Sequence, residues 1–163
     1  MNFLNKVLKG FLGDKNATDL KEVKKVVNKI KAVEPKIQEL SDNGLREKTA
    51  EFKEKIKNSS ANYTTEIEQL KEQIKNSSNI DEKEALFTKI ETLKKNAYDV
   101  EEKVLNEILP EAFALIKETA RRWAQNGEIR VTANDWDKQL AAANKDFVTL
   151  EGDTAIWKNH WNA

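Results

Sequence analysis

The chain has 163 residues, with 28 Lys and Arg against 28 Asp and Glu, one histidine and no cysteine. That length suffices for one domain with a real core or for a piece of something larger. The balanced charge excludes a whole-molecule pull toward nucleic acid, and the missing cysteine excludes disulfide frameworks and thiolate metal sites.

The opening stretch NFLNKVLKGFLG sets Phe3, Leu4, Val7, Leu8, Phe11 and Leu12 on one face of a short helix, with Lys6 and Lys9 off that face and Gly13 placed to end it. Apolar burial and lysine attraction to anionic head groups act together in such a segment, so it reads as an interfacial membrane helix or as a terminal helix docked on the core. It is not a signal peptide, because Asn2, Asn5, Lys6 and Lys9 break up any apolar run. No apolar run approaches the roughly 20 residues that span a bilayer, and a soluble, cytoplasmic chain is expected.

Asp19 and Glu22 have capping-box spacing, after which Leu20, Val23, Val27, Ile30, Ile37 and Leu40 keep to helical steps. Pro35 lies inside that run, where a kink or restart is expected. Ser41 opens a further helix with Leu45, Thr49, Phe52 and Ile56 inward and a Glu51 to Lys55 pair outward. It closes on IKNSS, a clause repeated at Ile74 to Ser78; Asn and Ser favour turns, so each copy predicts a reversal of the chain.

Between the copies Tyr63, Ile67, Leu70 and Ile74 make a thin stripe, and after the second, Asp81 and Glu84 open a helix whose stripe is Leu86, Phe87, Ile90, Leu93, Ala97, Val100 and Val104. The two helices predict an antiparallel hairpin. Pro110 suits the first position of a helix with Leu109, Phe113, Ile116, Ala120 and Trp123 on its core face and Gly127 as its stop. EIRVTA then reads as a strand, NDWDKQLAAANK as a capped short helix or a loop, and DFVTLEGDTAIWKNHW as a β-hairpin around Glu151, Gly152 and Asp153. The pattern still reads as strand where the chain stops, an ending expected of a cut.

Catalytic signals are few. His160 stands alone between two tryptophans with no serine or cysteine motif to serve, and the glycines at 10, 13, 44, 127 and 152 form neither GxxxxGK[ST] nor GxGxxG. Arg121, Arg122 and Trp123 could stack and pair with nucleic acid, but a basic helix end and a core tryptophan explain them more simply. Trp136, Trp157 and Trp161 read as a small aromatic core. The sequons at Asn16, Asn58, Asn62 and Asn76 are read as helix-end chemistry.

Two segments taken together resemble the amino terminus of the SecA family, the ATP-driven motors of bacterial preprotein translocation: KVVNKIKAVEPKIQELSDNGLREKTAEFKEKIK from Lys25 to Lys57, and LPEAFALIKETARR from Leu109 to Arg122. The ordered series of VVN helix, EP kink, LSD cap, KTAEF helix and LPEAFA carries the likeness, which covers less than half of the chain. It implies helices wrapped on the first nucleotide-binding domain of a helicase-like motor. The expected fold is therefore mainly α, with a projecting antiparallel helical hairpin and a small β-hairpin region near the C-terminus.

The resemblance also implies that the start touches anionic phospholipid and the membrane protein channel, a role falling on Phe3, Leu4, Lys6, Val7, Leu8, Lys9, Phe11 and Leu12. ATP and magnesium are implied for the full-length ATPase, but the family's adenine-reading glutamine segment and GxGKT loop come after the matched region. No catalytic, cofactor-binding or metal-ligating residue is expected here, nor ATPase activity from this piece alone. The implied partners are preprotein, lipid surface, channel and the remainder of the same motor domain, with no nucleic acid; the implied location is the cytoplasm, peripheral to the inner face of the membrane.

Most members join the KTAEF and LPEAFA helices by a short link, whereas Asn58 to about Lys103 intervenes here, and the part after Gly127 is also longer, as in a longer-armed branch of the family. The expected organisation is an amphipathic helix over 1–13, SecA-like helices over 14–57, an inserted helical hairpin over 58–103, an LPEAFA-type core helix over 104–126 and a small α+β segment over 127–163. Without the rest of the domain, the Phe113 to Trp123 face is expected to be exposed, with repacking or a homo-dimer as ways to cover it. The rival reading is a freestanding helical protein–protein interaction module.

Overall fold

A computed structural model of the protein describes residues 15–143 and 146–159. Helices α1 (Lys15–Gln38), α2 (Asp42–Ser59), α3 (Ala61–Asn76) and α4 (Ile80–Gln125) precede strand β1 (Glu128–Thr132), helix α5 (Asp135–Ala142) and strands β2 (Val148–Glu151) and β3 (Thr154–Lys158). They form two compact units, one from Asp42–Leu109 and the other from the described parts of Met1–Ser41 and Pro110–Ala163.

Neither proline restarts a helix: α1, where a kink or restart is expected, continues through Pro35 to Gln38, and α4 passes through Pro110, expected to open a helix, to Gln125. A helical proline forfeits one backbone bond and crowds the preceding turn, at about 3 kcal/mol. Packing offsets this, since Ile37 is buried just after the first proline and Ile108, Ala114 and Leu115 around the second. Asp19 and Glu22 lie inside α1, so they do not cap it. Its inner edge runs through Val26, Ile30, Val33 and Ile37, leaving the expected Leu20, Val23 and Val27 exposed.

In the Asp42–Leu109 unit, α2 starts directly after Ser41 and buries Leu45 and Phe52, with Ile56 half-buried and Thr49 exposed. Lys48 lies 5.5 Å from the Phe52 ring centre and pairs with Glu51. Lys55, expected to pair with Glu51, instead reaches Glu107 on α4 at 3.2 Å.

The first IKNSS does not reverse the chain. Ser60 alone separates α2 from α3, and contacts with α4 keep their order across it: Lys55 meets Glu107, Ser60 meets Glu101, and Glu66 meets Lys89. Thus α2 and α3 both run antiparallel to α4. Leu70, Ile90 and Leu93 are the buried centre of this seam, with Tyr63, Ile67, Ile74 and Leu86 packed against them. The second IKNSS does precede the return. Asn79, rather than Asp81, caps α4: its side-chain oxygen accepts from Asp81 N (3.0 Å) and Glu82 N (3.4 Å).

The other unit carries more β structure than the expected hairpin. The hairpin of β2 and β3 forms, with Gly152 at φ 57 in its turn, a conformation that favours glycine. The EIRVTA strand joins it to give an antiparallel sheet of order β1-β3-β2, in which Val131 faces Ala155 and Ile129 and Val148 both face Trp157. Val131, Val148 and Ala155 form its core with Leu140 and Ala141 from α5.

Ser60 is buried, and its hydroxyl donates to the Glu101 carboxylate while its carbonyl accepts from Thr64 N. Ser60→Ala removes a charge-assisted bond from the middle of the seam and should lower unfolding free energy by about 1–2 kcal/mol, read from urea midpoints. Unchanged or raised stability would refute this role.

Candidate functional site

The candidate membrane residues Phe3, Leu4, Lys6, Val7, Leu8, Lys9, Phe11 and Leu12 lie outside the described residues, as do His160 and Trp161. Among the described residues no three His, Cys, Asp or Glu side chains converge as metal ligands, and no helix is long and apolar enough to cross a membrane.

One buried charge lies near the end of α4. The expected core face of Phe113, Ile116 and Ala120 is exposed; Ala114, Leu115 and Glu118 are buried instead, and Trp123 is half-buried. The helix is apolar on two sides, and its polar bonds to the end of α1 decide which side is buried. Glu118, spaced three and four residues from Arg121 and Arg122, accepts from both guanidinium groups at 2.6–2.8 Å. Arg122 also donates to the carbonyls of Gln38 (3.2 Å) and Leu40 (2.6 Å), which lie at and just past the C-terminus of α1. Helix-end carbonyls lack intrahelical partners and carry the negative end of the dipole, so a guanidinium suits them. Lys117 adds a pair to Glu34 at 2.6 Å.

Both arginines are thus engaged by Glu118, so the two bases that suggested nucleic-acid contact form an internal latch, with Trp123 half-buried beside them in sequence. The Arg121 bond is the largest influence; with the smaller Arg122 bond and the charge of both arginines it outweighs burial and holds the Glu118 carboxyl at about 2, against 4.5 ordinarily. The Asn159 side chain closes the other side of this helix end, donating to Trp123 O (3.2 Å) and Asn126 O (2.8 Å).

A second buried carboxylate orders the sheet. Asp137 is fully buried in α5; one oxygen accepts from Asn134 N (2.9 Å) and the other from the Trp157 indole N–H (3.0 Å). Asp137 N–H in turn donates to the Asn134 side-chain oxygen, completing a capping box, so NDWDKQLA is a capped helix. Trp157 stacks on Phe147 with ring centres 5.8 Å apart, whereas Trp136 is exposed and does not share the expected aromatic core. Beside α5 and β2 lies an open cleft of about 640 Å³, lined by Ala141, Ala142, Val148 and Leu150 together with Thr149, Asp146, Lys138 and Lys158. Two lysines beside an apolar floor can hold an anionic group.

The Glu118 latch makes stability depend on acid. The folded carboxyl binds its proton more weakly than the unfolded one, so its contribution is complete above about pH 4.5 and is lost as pH falls through about 2. Glu118→Gln should cost roughly 2–4 kcal/mol at neutral pH, by removing the buried carboxylate charge that both guanidinium groups share, and should flatten the acid limb of stability against pH. Denaturant titrations at several pH values check this; an unaltered limb would contradict it.

The chain matches the family model described as the SecA DEAD-like domain over residues 8–153. It is 45% identical, over all 163 of its residues, to the protein translocase subunit SecA of Flavobacterium psychrophilum and to that of Christiangramia forsetii. Against the subunit of Bacteroides fragilis it is 44% identical over 159 residues, 98% of the chain. The chain spans 14% of the length of each of these relatives. No solved structure matches. The aligned range takes in residues 58–103 along with the KTAEF and LPEAFA segments, and with a family model covering most of its length the chain belongs to the SecA DEAD-like domain family.

Proposed function

We propose that the chain forms the amino-terminal part of a motor that couples ATP hydrolysis to the passage of preproteins across the bacterial cytoplasmic membrane. The observation that carries this reading is identity of 45% along the whole chain to proteins named translocase subunits. A freestanding helical interaction module would not be expected to share that likeness along its full length.

In this reading the residues here supply scaffold and contact surfaces, while ATP and magnesium are held by residues outside these 163. The α1–α4 latch at Glu118 and Arg122 and the sheet ordered by Asp137 are the scaffold. The exposed Phe113 and Ile116 suit packing against the remainder of the same motor domain. The helical hairpin of α2 and α3 on α4 is an arm of the longer-insert branch. The opening segment, through Phe3, Leu4, Lys6, Val7, Leu8, Lys9, Phe11 and Leu12, lies on anionic phospholipid near the channel, at the inner face of the membrane.

Exchanging this chain for the matching region of the Flavobacterium psychrophilum subunit should preserve ATP-driven preprotein uptake by inverted membrane vesicles. A soluble, folded exchange protein without uptake would count against the motor reading. Separately, the intact chain should float with phosphatidylglycerol-containing vesicles, less so at high salt, and a chain lacking Met1 to Gly13 should not. Equal flotation of the two would remove the lipid role.

A further inference from the structure

The two edges of the sheet are finished differently. Lys158 N–H donates to Phe147 O at 2.8 Å, and bonded and unbonded pairs alternate along an antiparallel ladder. Phe147, Thr149 and Glu151 therefore turn their backbone groups toward β3, while Val148 and Leu150 turn theirs away. On the other side Asn159 N–H donates to Gly127 O at 3.1 Å, so the outward residues of β1 are Glu128, Arg130 and Thr132. Charged side chains discourage pairing at an edge, and Glu128 and Arg130 form such a guard, ion-paired at 2.7 Å. The outward residues of β2 are apolar instead. Val148 is buried, but Leu150 is 39% exposed, and among the described residues its outward N–H and C=O have no hydrogen-bond partner.

This open edge borders the cleft between α5 and β2. A residue paired with Leu150 on a further strand would set its side chain on the face of Leu150 and Ala155, the face that α5 covers. There α5 presents Ala141 and Ala142, small enough to leave room for an apolar side chain. The charged lining is two lysines, Lys138 and Lys158, against one aspartate, Asp146, and among the described residues neither lysine has an ion pair. Glu151, the acid next to Leu150, is held by Arg130 at 3.0 Å and so repels an incoming carboxylate less. An open strand edge joined to an apolar floor and cationic rim matches an extended backbone with acidic side chains.

We propose that this cleft docks an extended, acidic segment of a partner protein, which adds to the β2 edge at Leu150 as a fourth strand. The backbone of the segment takes the free N–H and C=O of Leu150, an apolar side chain rests on Ala141, Ala142 and Leu150, and carboxylates meet Lys138 and Lys158. Backbone pairing supplies affinity, and the alternation of apolar and acidic side chains supplies selectivity. Such docking uses one unit of the fold and does not depend on the translocation reading.

Fluorescence anisotropy of the whole 163-residue chain with a fluorescein-labelled, amide-capped pentapeptide EVEVE tests this, with KVKVK as the charge-reversed probe. EVEVE should bind with a dissociation constant on the order of 100 μM, as a small interface with few bonds does, and KVKVK about tenfold more weakly. N-methylation of both valines should abolish binding, because their N–H groups face the β2 edge, whereas methylation of the central glutamate, which faces away, should not. Lys138→Glu together with Lys158→Glu should reverse the preference between the probes. Leu150→Pro should remove binding and leave circular dichroism unchanged, since the Leu150 N–H makes no bond to β3. Bound EVEVE should also slow hydrogen exchange at the Leu150 amide. No binding at about 1 mM would overturn the proposal. So would equal binding of the two probes, tolerance of the methylated valines, or a Leu150 amide already protected from exchange in the free chain.

Discussion

One helix must answer to every other described helix or strand that it meets, and α4 does so on successive stretches of a single continuous backbone. Near its start it closes the seam with α3, around Glu101 and Glu107 it binds Ser60 and Lys55, and near its end it holds the last carbonyls of α1 through Arg122. Beyond Trp123 its own open carbonyls are closed by Asn159. The helix runs through Pro110. A lost backbone bond is tolerable there because Ile108 lies buried on one side of the proline and Ala114 and Leu115 on the other.

The charged surface contributes less than its abundance suggests. Pairs such as Lys71–Glu68 and Lys75–Glu72 are exposed, and such pairs are worth about 0–1 kcal/mol each. The pairs that shape the fold are the few withdrawn from water: Glu118 with its two arginines, Ser60 with Glu101, and Asp137 with the Trp157 indole. Each includes a buried carboxylate or hydroxyl, so removing its partner leaves a polar group where water serves it poorly.

Much of the fold was legible from period and caps. The helices on either side of Ser41, the seam of Tyr63, Ile67, Leu70 and Ile74, and the hairpin turning at Gly152 stand where apolar spacing and turn chemistry put them. The Glu118, Arg121, Arg122 spacing was also there to be read, as an acid with bases three and four residues on, the separation at which side chains share a helix face. The long-range half of that latch was not legible, because nothing local says that the carbonyls of Gln38 and Leu40 will be its acceptors. IKNSS shows the same division: the same five residues precede a one-residue break in one place and a return of the chain in the other, the difference being whether Ser60 is drawn into a partner helix.

By itself, then, the sequence determined that this chain is mainly helical, where most of its helices lie, and through VVN, KTAEF and LPEAFA which family it resembles, since these depend on near-neighbour periodicity and ordered motifs. Only the tertiary structure decided that both prolines sit inside helices, that EIRVTA joins the hairpin as a third strand, and which side of each two-faced helix is buried. The reason is physical. Where α1 and α4 carry apolar residues on more than one side, intrinsic preference is nearly even, and the choice passes to a few distant polar bonds that only one packing can satisfy.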